Sequence, residues 1–370
     1  MAGPMDAADT RTDAAGGRER PAEPAKRAAS GETGEPGEAG RGAGRGPKTG
    51  GKSGLARFVL VRLLLFPPTA VGAGLFTFLL VKIIPGGPAY ARLGENATPE
   101  SVALIERQLG LDRPLPEQFL SWLGKALIGD FGDSFQTGFP VADTIAETLP
   151  VTLELTLIAI VGTCLIAIPL GVFAGKRAAR RSGRFVRSAS GLGLAVPDFF
   201  AALVLITIFS VWLGLLPRLG FVPFAEDPVR NVHHLILPAM PMILGGSAIV
   251  IRQVGAAMAD AMAGDHVRTA RAMGVPERRI TWLYAFRSVL PTTLNVIALL
   301  ALGQLGATLI LEQIFVLPGL GRTLVTAIGQ LDFPVILGVV LVYVVIALVV
   351  NLIVDIAAGL VDPAIRKGTA

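Results

Sequence analysis

The chain carries few groups that could do covalent chemistry. Gly46 to Ser53 reads GPKTGGKS, which satisfies the letters of a phosphate-cradling loop. Such a loop needs a buried strand before it and a helix N-terminus after it, to aim backbone N–H groups at phosphate. Here a Gly-rich stretch precedes it and a long apolar run follows, so a flexible basic segment near anionic lipid is expected instead. Cys164 lies in an apolar run and reads as packing. His233, His234 and His266 are too scattered to outline ligands for a metal. No catalytic residue, no cofactor-binding residue and no metal site is therefore expected. Asp198 is the group that stands out. It follows Pro197 inside an apolar run, where an unpaired charge costs several kcal/mol unless it faces protein or water. It either lines an aqueous pathway or makes a structural hydrogen bond or cap at a proline break. Glu154, Glu312 and Asp355 lie nearer the ends of apolar runs and read as structural.

The elements that must position these groups follow from composition. Of 370 residues, 52% are hydrophobic and 16% charged, and the mean hydropathy is +0.61. That balance points to lipid as the solvent and away from nucleic acid as a partner. A helix needs about 20 apolar residues to cross the hydrocarbon. Six windows qualify: 58 to 82, 151 to 175, 188 to 213, 235 to 257, 292 to 315 and 335 to 358. Pairs of small residues, Gly72 with Gly74, Gly191 with Gly193 and Gly245 with Gly246, are expected to let helices approach closely.

Charge orients the runs. The loop KRAARRSGRFVR, residues 176 to 187, holds six basic residues and no acid, whereas residues 83 to 149 hold four basic and nine acidic ones. The positive-inside bias puts residues 83 to 149 outside and both termini in the cytosol. Residues 1 to 54 lack large apolar side chains and read as a disordered cytosolic tail, leaving 55 to 370 as the membrane domain. Within 99 to 129, Val102, Ile105 and Leu109, then Phe119, Leu120, Leu123 and Leu127, recur at helical spacing. They predict two short amphipathic helices on the outer face, with Trp122 at headgroup depth. Asn96 to Thr98 matches the letters of a glycosylation acceptor, a short pattern that carries little weight.

Between the fourth and fifth runs, within the coupling segment 258 to 291, lies AGDHVRTARAMGVPERRITWLYAFRSVLP. Asp265 as N-cap, a short helix over His266 to Met273, and Gly274 with Pro276 as its stop describe a knob beneath the membrane. Arg268, Arg271, Arg278 and Arg279 could pair with a partner's acids or with lipid phosphate. From spacing alone an ordinary basic loop is an equal reading.

At these residues the sequence resembles the permease subunits of bacterial ABC importers, in the branch serving dipeptides, oligopeptides and, in some members, nickel. The family's cytosolic motif, with a glycine six residues after its opening residue, corresponds to Arg268, Thr269, Ala270 and Gly274, and the passage DHVRTARAMG with Arg271 is similar as a whole. Arg268 and Thr269 stand where the general pattern has Glu and Ala. Further similar passages are RFVLVRLLLFPP, PGGPA, LGLDRPLPEQFLSWL, GDFGDSF, ETLPVTLELTL, the stretch from Leu311 to Val340, and NLIVDIAAGLVDPAIR.

The resemblance implies an all-α integral membrane protein with the type I ABC importer permease fold and six transmembrane helices, in the bacterial inner membrane. Its implied partners are a second permease subunit, two cytosolic ATPase subunits that bind ATP and Mg, an external solute-binding protein and membrane lipid. It further implies that this chain is no enzyme and couples to the ATPases through Arg268, Thr269, Ala270, Arg271 and Gly274. An ion-coupled secondary carrier would need an internal repeat and an ion site at broken helices, neither of which is evident. A membrane scaffold without transport is the third reading.

Overall fold

The computed structural model describes residues 51–83, 87–93, 97–108 and 110–361. Most of the proposed tail, Asn96 and Leu109 lie outside these residues, as do the side chains of Arg57, Arg62 and Asp355. In chain order the helices are α1 (Gly51–Ile83), α2 (Gly87–Leu93), α3 (Pro99–Gln108), α4 (Leu115–Leu127), α5 (Val141–Lys176), α6 (Arg181–Ala195) and α7 (Asp198–Leu205). A π-helical turn, Ile206–Trp212, extends α7. Then come α8 (Pro228–Ala263), α9 (Asp265–Ala272) and α10 (Glu277–Arg279). A second π-helical turn, Ile280–Ala285, leads into α11 (Phe286–Ile314), followed by α12 (Leu320–Gly329) and α13 (Phe333–Val361). Helix α1 begins at Gly51, inside the phosphate-loop letters.

Five of these helices are long and apolar enough to span a membrane, and the bent pair α6 with α7 brings the number to six. That pair corrects one expectation. The third window, 188 to 213, is not one straight helix: it breaks at Val196 and Pro197 with a bend of 98°. Both residues are extended, Val196 at φ −93°, ψ 116° and Pro197 at φ −62°, ψ 143°, because a residue before proline is pushed out of the helical region. Helix α6 also starts at Arg181, inside the stretch read as a basic loop.

Helices α5 and α8 form the central pair. On α5 every fourth residue is buried: Val151, Leu155, Ala159, Thr163, Ala167, Gly171 and Gly175. Rows at this spacing form the ridges that pack into a neighbour's grooves. Side chains shrink along the ridge, and at its end a Cβ on Gly175 would sit 2.6 Å from the Gly255 carbonyl oxygen of α8. This is the tight crossing. By contrast Gly72 and Gly191 have nothing within 4 Å of an added Cβ, so they do not make the close approach expected of them.

Three apolar clusters stack along the bundle. One end joins Phe78 of α1, Phe119 of α4, Val141 and Ile145 of α5, Leu320 and Leu324 of α12, and Phe333 of α13. Trp122 belongs to this end, its ring 6.1 Å from Phe78 and 6.0 Å from Phe119, packed on α1. Both predicted helices form, with Val102 and Phe119 buried, while Leu120 and Leu127 are exposed. The opposite end of α5 packs with α8, α9 and the start of α11 through Met258, Val267, Ala270, Ile280 and Ala285. The basic 176–187 stretch and the 263–291 segment thus occupy the same end, where Lys176 Nζ lies 3.9 Å from Glu277.

Candidate functional site: a coupling knob and a broken-helix cavity

Helix α9 is amphipathic, and its sequence sets which side is held. Val267 and Ala270, three apart, are buried against Ile280 and Ala285, whereas Arg268, Thr269 and Arg271 are exposed. Its start differs from expectation. Gly264 is the N-cap, and Asp265 is the first helical residue, 3.8 Å from Arg268 in an exposed pair. The stop follows expectation: Gly274 has φ +74°, its N–H donates to Arg271 O at 3.0 Å, and Val275 N–H donates to Ala270 O at 3.1 Å. These two bonds satisfy the last carbonyls of the helix, and the left-handed residue between them favours glycine.

Five residues carry the expected coupling role, and the structure separates them. Thr269 Oγ1 donates back to Asp265 O, and Ala270, 1% exposed, anchors the helix without a surface to offer. Arg271, a candidate to pair with a partner's acid or a lipid phosphate, donates from Nε to Glu277 Oε1 at 2.7 Å within the chain. That bond pushes the guanidinium pKa further above its ordinary value. Because Glu277 also faces Lys176, one carboxylate ties the knob to the end of α5. The residue that spacing arguments missed is Met273, 68% exposed beside Gly274 at the tip. An unbranched apolar side chain at a helix tip is an adaptable contact, and its position just before the stop glycine was the available signal.

The second place is the α6–α7 break. Asp198 opens α7, half-buried, and its carboxylate has no hydrogen bond or ion pair among the described residues. Two adjoining cavities of about 410 and 360 Å³ share Asp198, Gly193, Val196 and Gly245. Gln304 of α11 lines the smaller, and Ser247 of α8 the larger. Sequence reasoning found Asp198 but not Gln304, which carries no charge and sits in an otherwise apolar stretch.

Glu312 and Glu154 have partners within the fold. Glu312, fully buried, accepts Thr152 Oγ1–H at 2.7 Å and Arg322 N–H at 3.0 Å, while Thr152 Oγ1 accepts Leu320 N–H at 2.8 Å. Together they serve the free N–H groups at the start of α12. Glu154 accepts from Asn231 Nδ2 at 2.7 Å. His233 and His234 meet the carbonyls of Leu215 and Gly220, holding the loop before α8, and His266 is exposed.

The family described as "Binding-protein-dependent transport system inner membrane component" matches residues 167–367, and its N-terminal counterpart, "Binding-prot-dependent transport system membrane comp, N-term", matches 55–156. The chain belongs to this family. It is a permease subunit of an ABC importer. Among its relatives, a peptide transport system permease protein of Brucella abortus (strain 2308) is 38% identical over 316 residues, covering 84% of this chain and 99% of the relative. The oligopeptide transport system permease protein AppB of Bacillus subtilis (strain 168) is 33% identical, covering 84% and 100%. The glutathione transport system permease protein GsiC of Escherichia coli (strain K12) is 33% identical, covering 84% and 99%. Among solved structures, a chain of the MetNI methionine ABC transporter in an inward-facing conformation aligns with TM-score 0.50 and 17% identity, over 59% of this permease and 96% of that chain. That likeness is one of fold, and it agrees with the all-α type I importer architecture. Membership in a binding-protein-dependent system sets aside both the ion-coupled carrier and the scaffold.

Proposed function

We propose that this permease forms half of the path through which short peptides are taken up at the expense of ATP hydrolysed elsewhere. The observation that carries the solute class is the agreement of relatives named for peptide, oligopeptide and glutathione transport, since glutathione is itself a tripeptide. A second permease subunit completes the path, two ATPase subunits bind ATP and Mg, and an external binding protein delivers the solute. This chain has no catalytic step of its own. Residues 83–149 lie outside, and both termini, residues 176–187 and the coupling segment lie in the cytosol.

The coupling contact is the exposed face of α9. Arg268 and Arg271 supply charge, Thr269 and Met273 supply contact surface, and Gly274 turns the chain so that the tip projects. Ala270 acts by anchoring. Closure of the ATPases on ATP would push the tip, and Val267, Ala270 and Ile280 would carry the push into α8 and α11 because close-packed interiors transmit displacement. Asp198 lines the path at the α6–α7 break.

The test is reconstitution of the full complex in lipid with a labelled tripeptide. Uptake is expected only with ATP, both ATPases and the binding protein together. Uptake that persists without any ATPase subunit would sink the reading. Single cysteines in a Cys164→Ala background check orientation: an impermeant thiol reagent should label position 112 in intact cells and position 179 only after lysis.

A further inference from the structure

Asp198 is a carboxylate without a counter-charge among the described residues. Neither cavity that it lines contains a lysine or arginine, and its carboxylate lies against α8 where Gly245 leaves room, with Oδ1 2.9 Å from the place a Cβ would occupy. A carboxylate within an apolar span is costly unless protein, water or a visiting cation meets it.

A second observation points the same way. Gln304 is 5% exposed and lines the smaller cavity with Asp198. Its Nε2 donates to Met242 O at 2.9 Å, which fixes the orientation of the amide, since the reverse would set two oxygens against each other. Its Oε1 is therefore the free end, and it has no partner. Thr163 Oγ1 and Ser247 Oγ nearby are likewise buried and unpartnered. Buried polar atoms are nearly always satisfied, so an unpartnered amide oxygen and two unpartnered hydroxyls, each able to accept, near a carboxylate without a cation among the described residues describe a place shaped for a donor that comes and goes. Gly246 lets α8 pack directly on these side chains: a Cβ there would lie 2.9 Å from Gln304 Nε2 and 3.0 Å from Thr163 Oγ1.

We propose that the cavity at the α6–α7 break is a way-station for a primary ammonium group, with Asp198 supplying the opposite charge and Gln304 Oε1 a neutral acceptor. A primary ammonium has three donors and no acceptor, which matches a carboxylate and an amide oxygen flanked by hydroxyls and by no other donor charge. The proposal rests on the reading of Asp198 as a path-lining residue, and it names the end of the solute that this residue meets: the free amino terminus of a peptide.

The experiment places a reporter cysteine at Gly303, which lines the same cavity and has open space around an added Cβ, in a Cys164→Ala permease within the assembled complex. Labelling rates are compared for two methanethiosulfonates of equal size class, one cationic and one anionic. The cationic reagent is expected to react about tenfold faster, and Asp198→Asn, which keeps the side-chain size, should remove most of that preference. Methylammonium chloride should slow the cationic reagent several-fold in the parent, while choline chloride and sodium chloride at the same ionic strength should not. Equal rates for the two reagents, or a preference that Asp198→Asn leaves intact, would overturn the cation site. Protection by sodium but not by methylammonium would overturn the ammonium assignment in favour of an alkali ion. Tripeptide uptake on the same preparation is a separate arm. Charge-selective, methylammonium-sensitive labelling in a complex that takes up no tripeptide would defeat the peptide reading while the ammonium site stands. Transport of a free tripeptide by the parent that Asp198→Asn leaves at full rate would defeat the way-station.

Discussion

Glu312 and Asp198 are both carboxylates set in apolar helices beside a proline or glycine turn, yet their surroundings could hardly differ more. Glu312 is fully buried and every direction around it is occupied: Thr152 from α5, the backbone of α12, and Gly319 and Gly321, neither of which has room for a Cβ. Asp198 is half-buried, unpartnered, and opens on two cavities. A carboxylate whose neighbours all donate to it is part of the scaffold. One that lacks donors among the described residues is open to a group from outside the chain. The difference lies in the tertiary neighbours, since the residue types alone are alike.

Glu312→Ala is the change that should cost most. It leaves Arg322 N–H without its acceptor and Thr152 Oγ1–H without a partner, and unsatisfied buried groups cost roughly 1–3 kcal/mol each, so a total of about 3 kcal/mol or more is expected. The detergent melting midpoint should fall by several degrees with loss of monodisperse yield. A variant as stable as the parent would break the comparison at its structural end.

Gly274→Val asks whether the same contrast holds at the knob, where a strained backbone serves an exposed tip. A branched side chain at φ +74° costs roughly 1–3 kcal/mol locally. The bundle should still insert and pair, because a Cβ added at this position meets nothing within 4 Å. Co-purified ATPase and solute-stimulated hydrolysis should fall steeply. Normal docking and uptake would show that the bend is not what the partner reads.

Asp198→Asn should change stability by less than about 1 kcal/mol, because no hydrogen bond or ion pair among the described residues is lost and one half-buried charge is removed. Melting should be unchanged or raised slightly while uptake falls. A large loss of stability would make Asp198 a second Glu312. The smallest effect is expected of Glu277→Ala, which breaks exposed pairs with Arg271 and Lys176 that contribute little in water. Melting should not move measurably, and a modest loss of coupling between hydrolysis and uptake should be the visible result.

Much of this was open to a reader of the sequence. Long apolar runs report spans because an unsatisfied backbone group in hydrocarbon is too costly to leave, so length and hydropathy suffice. The α9 knob was legible because Gly274 and Pro276 are local signals that act within one turn. The clustering of basic residues at one end was legible for a similar reason, since charge is carried by the residue itself. Asp198 was visible as an oddity, and the break at Pro197 as a candidate.

What only the tertiary structure decided is which of several equivalent local signals takes effect. Pro150, Pro169, Pro238, Pro241 and Pro291 lie inside continuous helices, whereas Pro197 turns the chain by 98°. Similarly, Gly171, Gly175 and Gly255 make the close crossing while Gly72 and Gly191 face open space. A uniformly apolar span hides its packed face, because lipid and protein interior select the same side chains and no periodic contrast survives in the sequence. Arg271 pairs within the chain because α10 folds back beneath α9, and Gln304 joins Asp198 because α11 crosses beside the break. These pairings span from six to more than a hundred residues. The sequence by itself determined which groups were available, and the packing of α8 and α11 around the broken helix determined which of them were left without a partner.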